Sequence, residues 1–273
     1  MRVAVRVFVA AVVASFVISC GGSGVAPGNV VVVNGVEMIY IPGGQVTMGP
    51  FGADSLITEI KPYLIGKYEV TNREYRQFCE MLHIPFPVPP TRDDFPAVSI
   101  DFNAAEAFTV WKGCRLPTEA EWEFAAKGPE GRTFPWGDEW DDTKANFRGD
   151  LDGFPGLGPV GLLPAGASPF GVENMGGNAR EWVSDWFTPY TNESVPNWRG
   201  APGGAARVIK GGSYRTGPDD VVTTNRAWRG PAIRMRDVGF RLASDYPPRK
   251  RGELPDDVSP SPEVDVGTPV SPE

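Results

Sequence analysis

The sequence predicts a mixed α+β fold with little regular secondary structure. Three observations carry that prediction. The 273 residues include 33 Gly and 28 Pro, and so much backbone punctuation implies many turns and few long helices. Short apolar runs bounded by turn residues recur early in the chain. Three later segments carry helix N-cap signatures followed by apolar residues at helical spacing.

The elements follow in order. Val30 to Ile41 alternates around Asn34-Gly35, and Asn-Gly between apolar runs is a strong hairpin signal. Gly44 to Gly49 continues as a short strand, and Tyr63 to Val70 reads as another. Thr71 then caps a helix. Glu74 stands three residues on, as a capping box requires, and Tyr75, Phe78, Cys79 and Leu82 fall on one face. Asp101-Phe102-Asn103 starts a second helix, with Ala104, Ala105, Phe108 and Trp111 inward and Gly113 at its end. Thr118 caps a third, whose first turn holds Glu119 and Glu121, where carboxylates suit the helix dipole.

Hydrophobic residues make up 41% and aromatics 11%, enough for a real core, so global disorder is excluded. The length suits one large domain or two small ones. A net charge of -8 repels phosphate backbones, so nucleic acid is not an expected partner, and plain solubility accounts for the acidity. Cys79 and Cys114 could pair in an oxidising compartment or remain two buried thiols. His83 is the one histidine. It follows the first helix and reads as a helix-end or surface residue rather than a ligand. Asp141-Asp142 and Asp219-Asp220 read as solvated loop charges, because adjacent side chains of an extended chain face opposite ways.

Residues 1–19 read as a secretory signal. Arg2 and Arg6 supply the positive start, and Val7 to Ile18 is an apolar run too short to span a bilayer. Val17-Ile18-Ser19-Cys20 resembles the lipobox of bacterial lipoproteins. That implies lipidation of Cys20, a membrane partner and a place in the bacterial cell envelope, with Gly21 favouring the outer membrane. The alternative is an ordinary cleaved signal with an incidental cysteine. Residues 20–29 would then be the lipidated cysteine and a flexible tether, and residues 30–244 the folded domain. Residues 245–273 form a Pro-rich acidic tail, expected to be disordered for want of apolar surface.

Several motifs in the middle of the chain occur together and in order. Tyr68-Glu69-Val70-Thr71-Asn72-Arg73-Glu74-Tyr75 is followed by Arg115-Leu116-Pro117-Thr118-Glu119-Ala120-Glu121-Trp122-Glu123-Phe124-Ala125-Ala126, then Phe134-Pro135-Trp136-Gly137-Asp138 and Ala145-Asn146-Phe147. Next come Phe170 to Trp182, which includes Asn174-Met175-Gly176-Gly177-Asn178, then Arg207-Val208-Ile209-Lys210-Gly211-Gly212-Ser213-Tyr214, and Gly239-Phe240-Arg241. Together they resemble the formylglycine-generating (sulfatase-modifying factor) family across nearly all of residues 30–243. The resemblance implies a single domain with a modified C-type lectin-like fold.

Active members of that family oxidise a sulfatase cysteine to formylglycine, using O2 and Cu(I) held by two cysteines five residues apart. The matching positions here are Thr216 and Val221. Soft thiolates suit Cu(I), and a hydroxyl and an isopropyl group do not. A second branch holds iron with three histidines, which a chain with one cannot supply. Copper and iron are therefore not expected, and a ligand- or protein-binding role is favoured over catalysis. Family members in secondary-metabolite maturation also lack the cysteine pair, which leaves a divergent oxidoreductase or maturation enzyme as the alternative.

The resemblance further implies structural Ca2+. One set is Asn146, Phe147, Asp152 and Phe154, where side-chain and carbonyl oxygens would serve as hard ligands; the alternative is an Asx-rich turn without metal. The second set is Gly176, Gly177, Ala179 and Glu181, with an ion pair fixing the loop as its alternative, Arg180 being the neighbouring cation. The family's ligand face would carry Arg215, Thr216, Trp228, Arg229 and Arg234. Arg and Trp are enriched at recognition hot spots, so an anionic ligand or an acidic protein loop is the expected partner. The alternative is a core Trp228 with arginines in internal salt bridges.

Overall fold

The structure is a computed structural model describing residues 25–49, 55–86, 88–149, 154–191 and 193–248. Cys20, Asp152 and residues 249–273 lie outside the described residues. Strands β1 (Val30–Val33) and β2 (Val36–Ile41) form the expected hairpin. Asn34 and Gly35 take φ of 50° and 78°, as a turn with positive φ at both central residues requires. Strand β3 (Gly44–Met48) pairs with β4 (Leu56–Ile60), a strand the sequence reading missed. Strand β5 (Tyr63–Gly66) is shorter than the expected Tyr63–Val70. The Lys67 amide still bonds to Glu37 of β2, but beyond it the chain leaves β2, and Val70 instead bonds to Phe240 and Ala97.

Helices α1 (Asn72–Met81), α2 (Phe102–Lys112) and α3 (Glu119–Lys127) start at the expected caps. Both capping boxes, Thr71 with Glu74 and Thr118 with Glu121, are formed. Asp101 accepts from the Ala104 amide at 3.0 Å, and Gly113 closes α2 with a left-handed φ of 69°. The remaining strands are β6 (Arg180–Trp186), β7 (Arg207–Lys210), β8 (Arg226–Arg229), β9 (Val238–Phe240) and β10 (Ala243–Asp245).

The strands make one sheet in the order β1-β2-β5-β10, a second in the order β8-β7-β6-β9, and the β3-β4 ribbon. Both larger sheets lie between two buried clusters, so their inner strands are apolar on both faces. Met38, Leu64, Trp182 and Ile209 join Tyr75, Phe78, Phe108 and Phe240 in one cluster. Ile39, Ile65, Val183 and Val208 join Trp122, Phe124 and Met48 in the other. This period-two split places α1 and α2 on one side and α3 on the other. Cys79 and Cys114 are free thiols. His83 is exposed two residues past α1. Among the described residues no helix is long and apolar enough to cross a membrane.

Candidate functional site

The β8-β7-β6-β9 sheet aligns Arg226, Lys210, Glu181 and Gly239 in one row across its four strands. The next row is Ala227, Ile209, Trp182 and Phe240, and it is apolar. The charged row meets α3, every residue of which is buried. Lys210 Nζ lies 2.7 Å from Glu123, which also pairs with Lys127 at 2.7 Å. Arg226 grips Glu119 through two bonds of 2.7 and 2.9 Å, and Tyr190 donates to the same carboxylate. Trp122 Nε1 donates to Glu181, which Arg241 holds through bonds of 2.6 and 2.7 Å. On the opposite side of α3, Arg115 holds Glu121 through two bonds of 2.7 Å. Burial alone would raise Glu121 and Glu123, but the charges of Arg115, Lys210 and Lys127 outweigh it and hold both carboxyls below their usual range.

The sequence reading placed Glu119 and Glu121 as helix-dipole partners and did not anticipate these cations. One signal was available. Glu119 and Glu123 are four residues apart and share a face while Glu121 points away from it, so a buried helix carrying all three must find cations on both sides.

Two buried carboxyls behave differently. Asp185 accepts from the Glu119 amide at 2.8 Å and from the Ser184 hydroxyl, while its Oδ1 has no hydrogen-bond partner. Burial, and then the charge of Glu119, raise it to about 7. Glu69 accepts from the side-chain amides of Asn174 and Asn178. Burial raises it to about 7, against the partly offsetting charge of Arg241.

The turn Met175–Asn178 and the turn Gly211–Thr216 pack against each other at close range. A Cβ on Gly177 would lie 2.3 Å from the Asn146 carbonyl, and one on Gly212 would lie 2.8 Å from the Gly176 carbonyl. Only glycine allows these approaches. Within the second turn Thr216 is buried. Its hydroxyl donates to the Ser213 carbonyl and accepts from the Ser213 amide. Val221 is fully buried with Ala145 and Phe147, beside Phe134 and Trp136. The Ser213 hydroxyl donates to Asp237 and is likewise buried.

The two implied calcium sets fare differently. Asn146 Nδ2 donates to the Gly156 carbonyl and to Asn178, leaving Asn146 Oδ1 a buried acceptor without a partner among the described residues. An oxygen in that state fits a Ca2+ ligand. Phe147 and Phe154 flank the segment that contains Asp152. The set Gly176, Gly177, Ala179 and Glu181 does not fit a cation. Both Glu181 oxygens are already committed to Arg241, and a dication there would face a buried guanidinium. The ion pair is thus the form this site takes, but its cation is Arg241. Arg180 instead lies 3.9 Å from Asp237.

Of the expected ligand face, Trp228 is 47% exposed and stacks on Phe187 with ring centroids 4.0 Å apart. Phe187 in turn lies 4.8 Å from the Arg226 guanidinium, which also lies 4.1 Å from the Tyr190 ring. Arg229 is exposed at the end of β8, where it donates to the Trp228 carbonyl. Arg234 is exposed but bonded to Asp101, the cap of α2, at 2.8 Å. Arg215 is exposed in the turn that buries Thr216. These residues sit on three separate elements. Thr216 is not available at the surface.

These layers define a single α+β domain of the C-type lectin-like kind, with few helices and much irregular backbone. The chain belongs to the sulfatase-modifying factor enzyme 1-like domain family, whose model matches residues 26–246. It is 36% identical over 173 residues to the formylglycine-generating enzyme of Bos taurus, covering 58% of this chain and 46% of that protein. It is 33% identical over 263 residues to the hercynine oxygenase of Mycolicibacterium smegmatis, covering 76% and 61%. The chain therefore spans about half the length of these curated relatives. It is also 27% identical over 275 residues to inactive C-alpha-formylglycine-generating enzyme 2 of Mus musculus, covering 76% and 85%. Among solved structures it is similar to PvdO from Pseudomonas aeruginosa, with 25% identity and a TM-score of 0.69 over 81% of this chain and all of that one.

Proposed function

We propose that this chain is a lipid-anchored binding module of the bacterial cell envelope, and not a copper-dependent oxidase. The observation that carries the second half is Val221. Where the resemblance calls for a thiolate, an isopropyl group is packed into an apolar cluster, and the companion Thr216 spends its hydroxyl inside its own turn. Neither offers the soft donor that Cu(I) requires. The likeness to a mouse protein named as inactive is in keeping with this reading. Anchoring rests on Cys20 at the end of the apolar leader, with outer-membrane placement following from Gly21.

Ca2+ would be held by Asn146, with Phe147, Asp152 and Phe154, and would tie the loop through residues 146–154 into one conformation. The partner would be an anionic ligand or an acidic protein surface engaging Arg215, Trp228, Arg229 and Arg234. Nucleic acid is not a partner of a chain with net charge -8.

The test is Cu(I) titration together with O2 uptake on a cysteine-containing peptide. Neither tight copper binding nor uptake is expected, and an aldehyde product would overturn the reading. A ligand array should in turn yield a saturable binder lost on substitution of Arg215 or Trp228.

The second reading is a divergent oxidoreductase or maturation enzyme. The likeness to the hercynine oxygenase of Mycolicibacterium smegmatis favours it, whereas the raised carboxyls Asp185 and Glu69 are both enclosed in the domain and carry no part of it. Turnover of any substrate by the purified chain would select this reading over the first.

A further inference from the structure

A cavity of about 230 Å³ opens between β4, the start of α3 and the segment 197–199. It lies apart from Thr216, Val221 and the Arg215–Arg234 residues, none of which line it. Its outer wall is built by the chain running beside β4. Val195 bonds to Ile57, Asn197 to the Glu59 carbonyl, and the Trp198 amide donates to the Thr58 hydroxyl at 3.0 Å. Two cations line the cavity, Lys61 and Arg199. Among the described residues neither forms an ion pair. Arg199 lies close enough to Glu121 to stabilise its charge, but Arg115 already holds that carboxylate through both oxygens. The one remaining wall carboxylate is the exposed Glu59. Arg115 is shared between Glu121 and Asp245, so the formal charges around the cavity balance, and Lys61 and Arg199 are the cations of the wall left without an ion pair among the described residues.

The rest of the lining points to what kind of anion fits. Trp198 supplies an aromatic surface, and its indole Nε1 is a buried donor with no acceptor. Asn197 and Thr118 add polar side chains. An aromatic wall beside a few polar groups suits a small, polar ligand with one flat face.

We propose that this cavity binds a small organic acid: a carboxylate or sulfate head between Lys61 and Arg199, and a flat or CH-rich body against Trp198. The site does not depend on whether the chain is anchored or catalytic, and its test is independent of both.

The experiment is calorimetric titration of the mature chain with inorganic sulfate, benzoate, glucuronate and, as the neutral control, glucose. Tryptophan fluorescence is followed in parallel, and the part lost in Trp198→Leu is assigned to Trp198. Saturable binding of benzoate or glucuronate is expected, at least tenfold tighter than sulfate and with no binding of glucose. Because Lys61 and Arg199 are exposed, Lys61→Ala and Arg199→Ala should fold normally and weaken binding tenfold or more. Trp198→Leu should remove the advantage over sulfate. Glu59→Gln should tighten binding, since it removes the one unneutralised carboxylate; a purely structural role for this wall would not move in that direction. The proposal is overturned if no organic acid saturates the site, if glucose binds as well as glucuronate, or if affinity is unchanged in Arg199→Ala with its melting temperature intact.

Discussion

Lys210 and Arg226 stand directly opposite each other in the β7–β8 ladder and send their charges into Glu123 and Glu119, one helical turn apart on α3. Strand register and helix pitch are matched here through two ion pairs. Because Glu119 and Glu123 are buried, each pair is tested by removing one partner. Arg226→Ala leaves Glu119 charged without its cation, and such a loss costs about 3–5 kcal/mol. The double variant Glu119→Gln with Arg226→Met removes both charges and should be markedly less destabilised than Arg226→Ala alone. Urea unfolding of the three proteins measures this, and equal losses in both variants would show that the charge pairing is not what matters.

Asp185 predicts a pH dependence. In an unfolded chain an aspartate titrates near about 3.9, whereas burial and Glu119 raise Asp185 to about 7 in the folded chain. Between these values the folded state holds the extra proton. The contribution of Asp185 to stability is therefore full below pH 4 and lost as the pH rises through 7. Asp185→Asn cannot ionise, so its urea midpoint should fall less than that of the parent between pH 5 and 8, with the variant the more stable at pH 8 by about 1–3 kcal/mol. A parallel pH profile in both proteins would refute the assignment.

Glycine substitutions should separate close packing from backbone strain. Gly177→Ala places a methyl 2.3 Å from the Asn146 carbonyl and forces the turn Met175–Asn178 away from the backbone at Asn146. Gly171 has φ 87° with open space around it, so Gly171→Ala meets only conformational strain. The expected losses are about 3 kcal/mol or more for the first, as overpacking and lost contacts combine, and about 1 kcal/mol for the second. Thermal unfolding distinguishes them.

Calcium should stabilise the domain through Asn146. At a concentration 100-fold above its dissociation constant a ligand adds about 2.7 kcal/mol, which for a domain of this size is a rise of roughly 5–10 °C in melting temperature. Asn146→Ala should lose that increment whatever its own starting stability. Identical melting in calcium and in chelator would remove the metal from the account.

Much of the architecture was legible in local sequence because it is decided by local physics. Asn34-Gly35, Thr71 with Glu74, Asp101, Gly113 and Thr118 each specify a turn, a cap or a stop through bonds made within a few residues. Strand β4 escaped notice because five residues alternating in burial make a weak signal without their partner β3. The end of β5 was misplaced because Val70 answers to Phe240 and Ala97, distant in sequence.

The candidate sites were legible only in part. Sequence alone established the family motifs, the missing sulfur at Thr216 and Val221, and the single histidine, since these are questions of which atoms are present. Tertiary structure decided what those atoms do. It gave Glu181 to Arg241 and not to Arg180, buried Thr216, left Trp228 at the surface on Phe187, and turned the acidic first turn of α3 into a set of buried ion pairs. The physical reason is that a charge or a donor is defined by its partner and its distance from water. In this chain those partners, Lys210 and Arg226 for α3 and Arg241 for Glu181, lie 60 to 107 residues away, and only the folded chain brings them together.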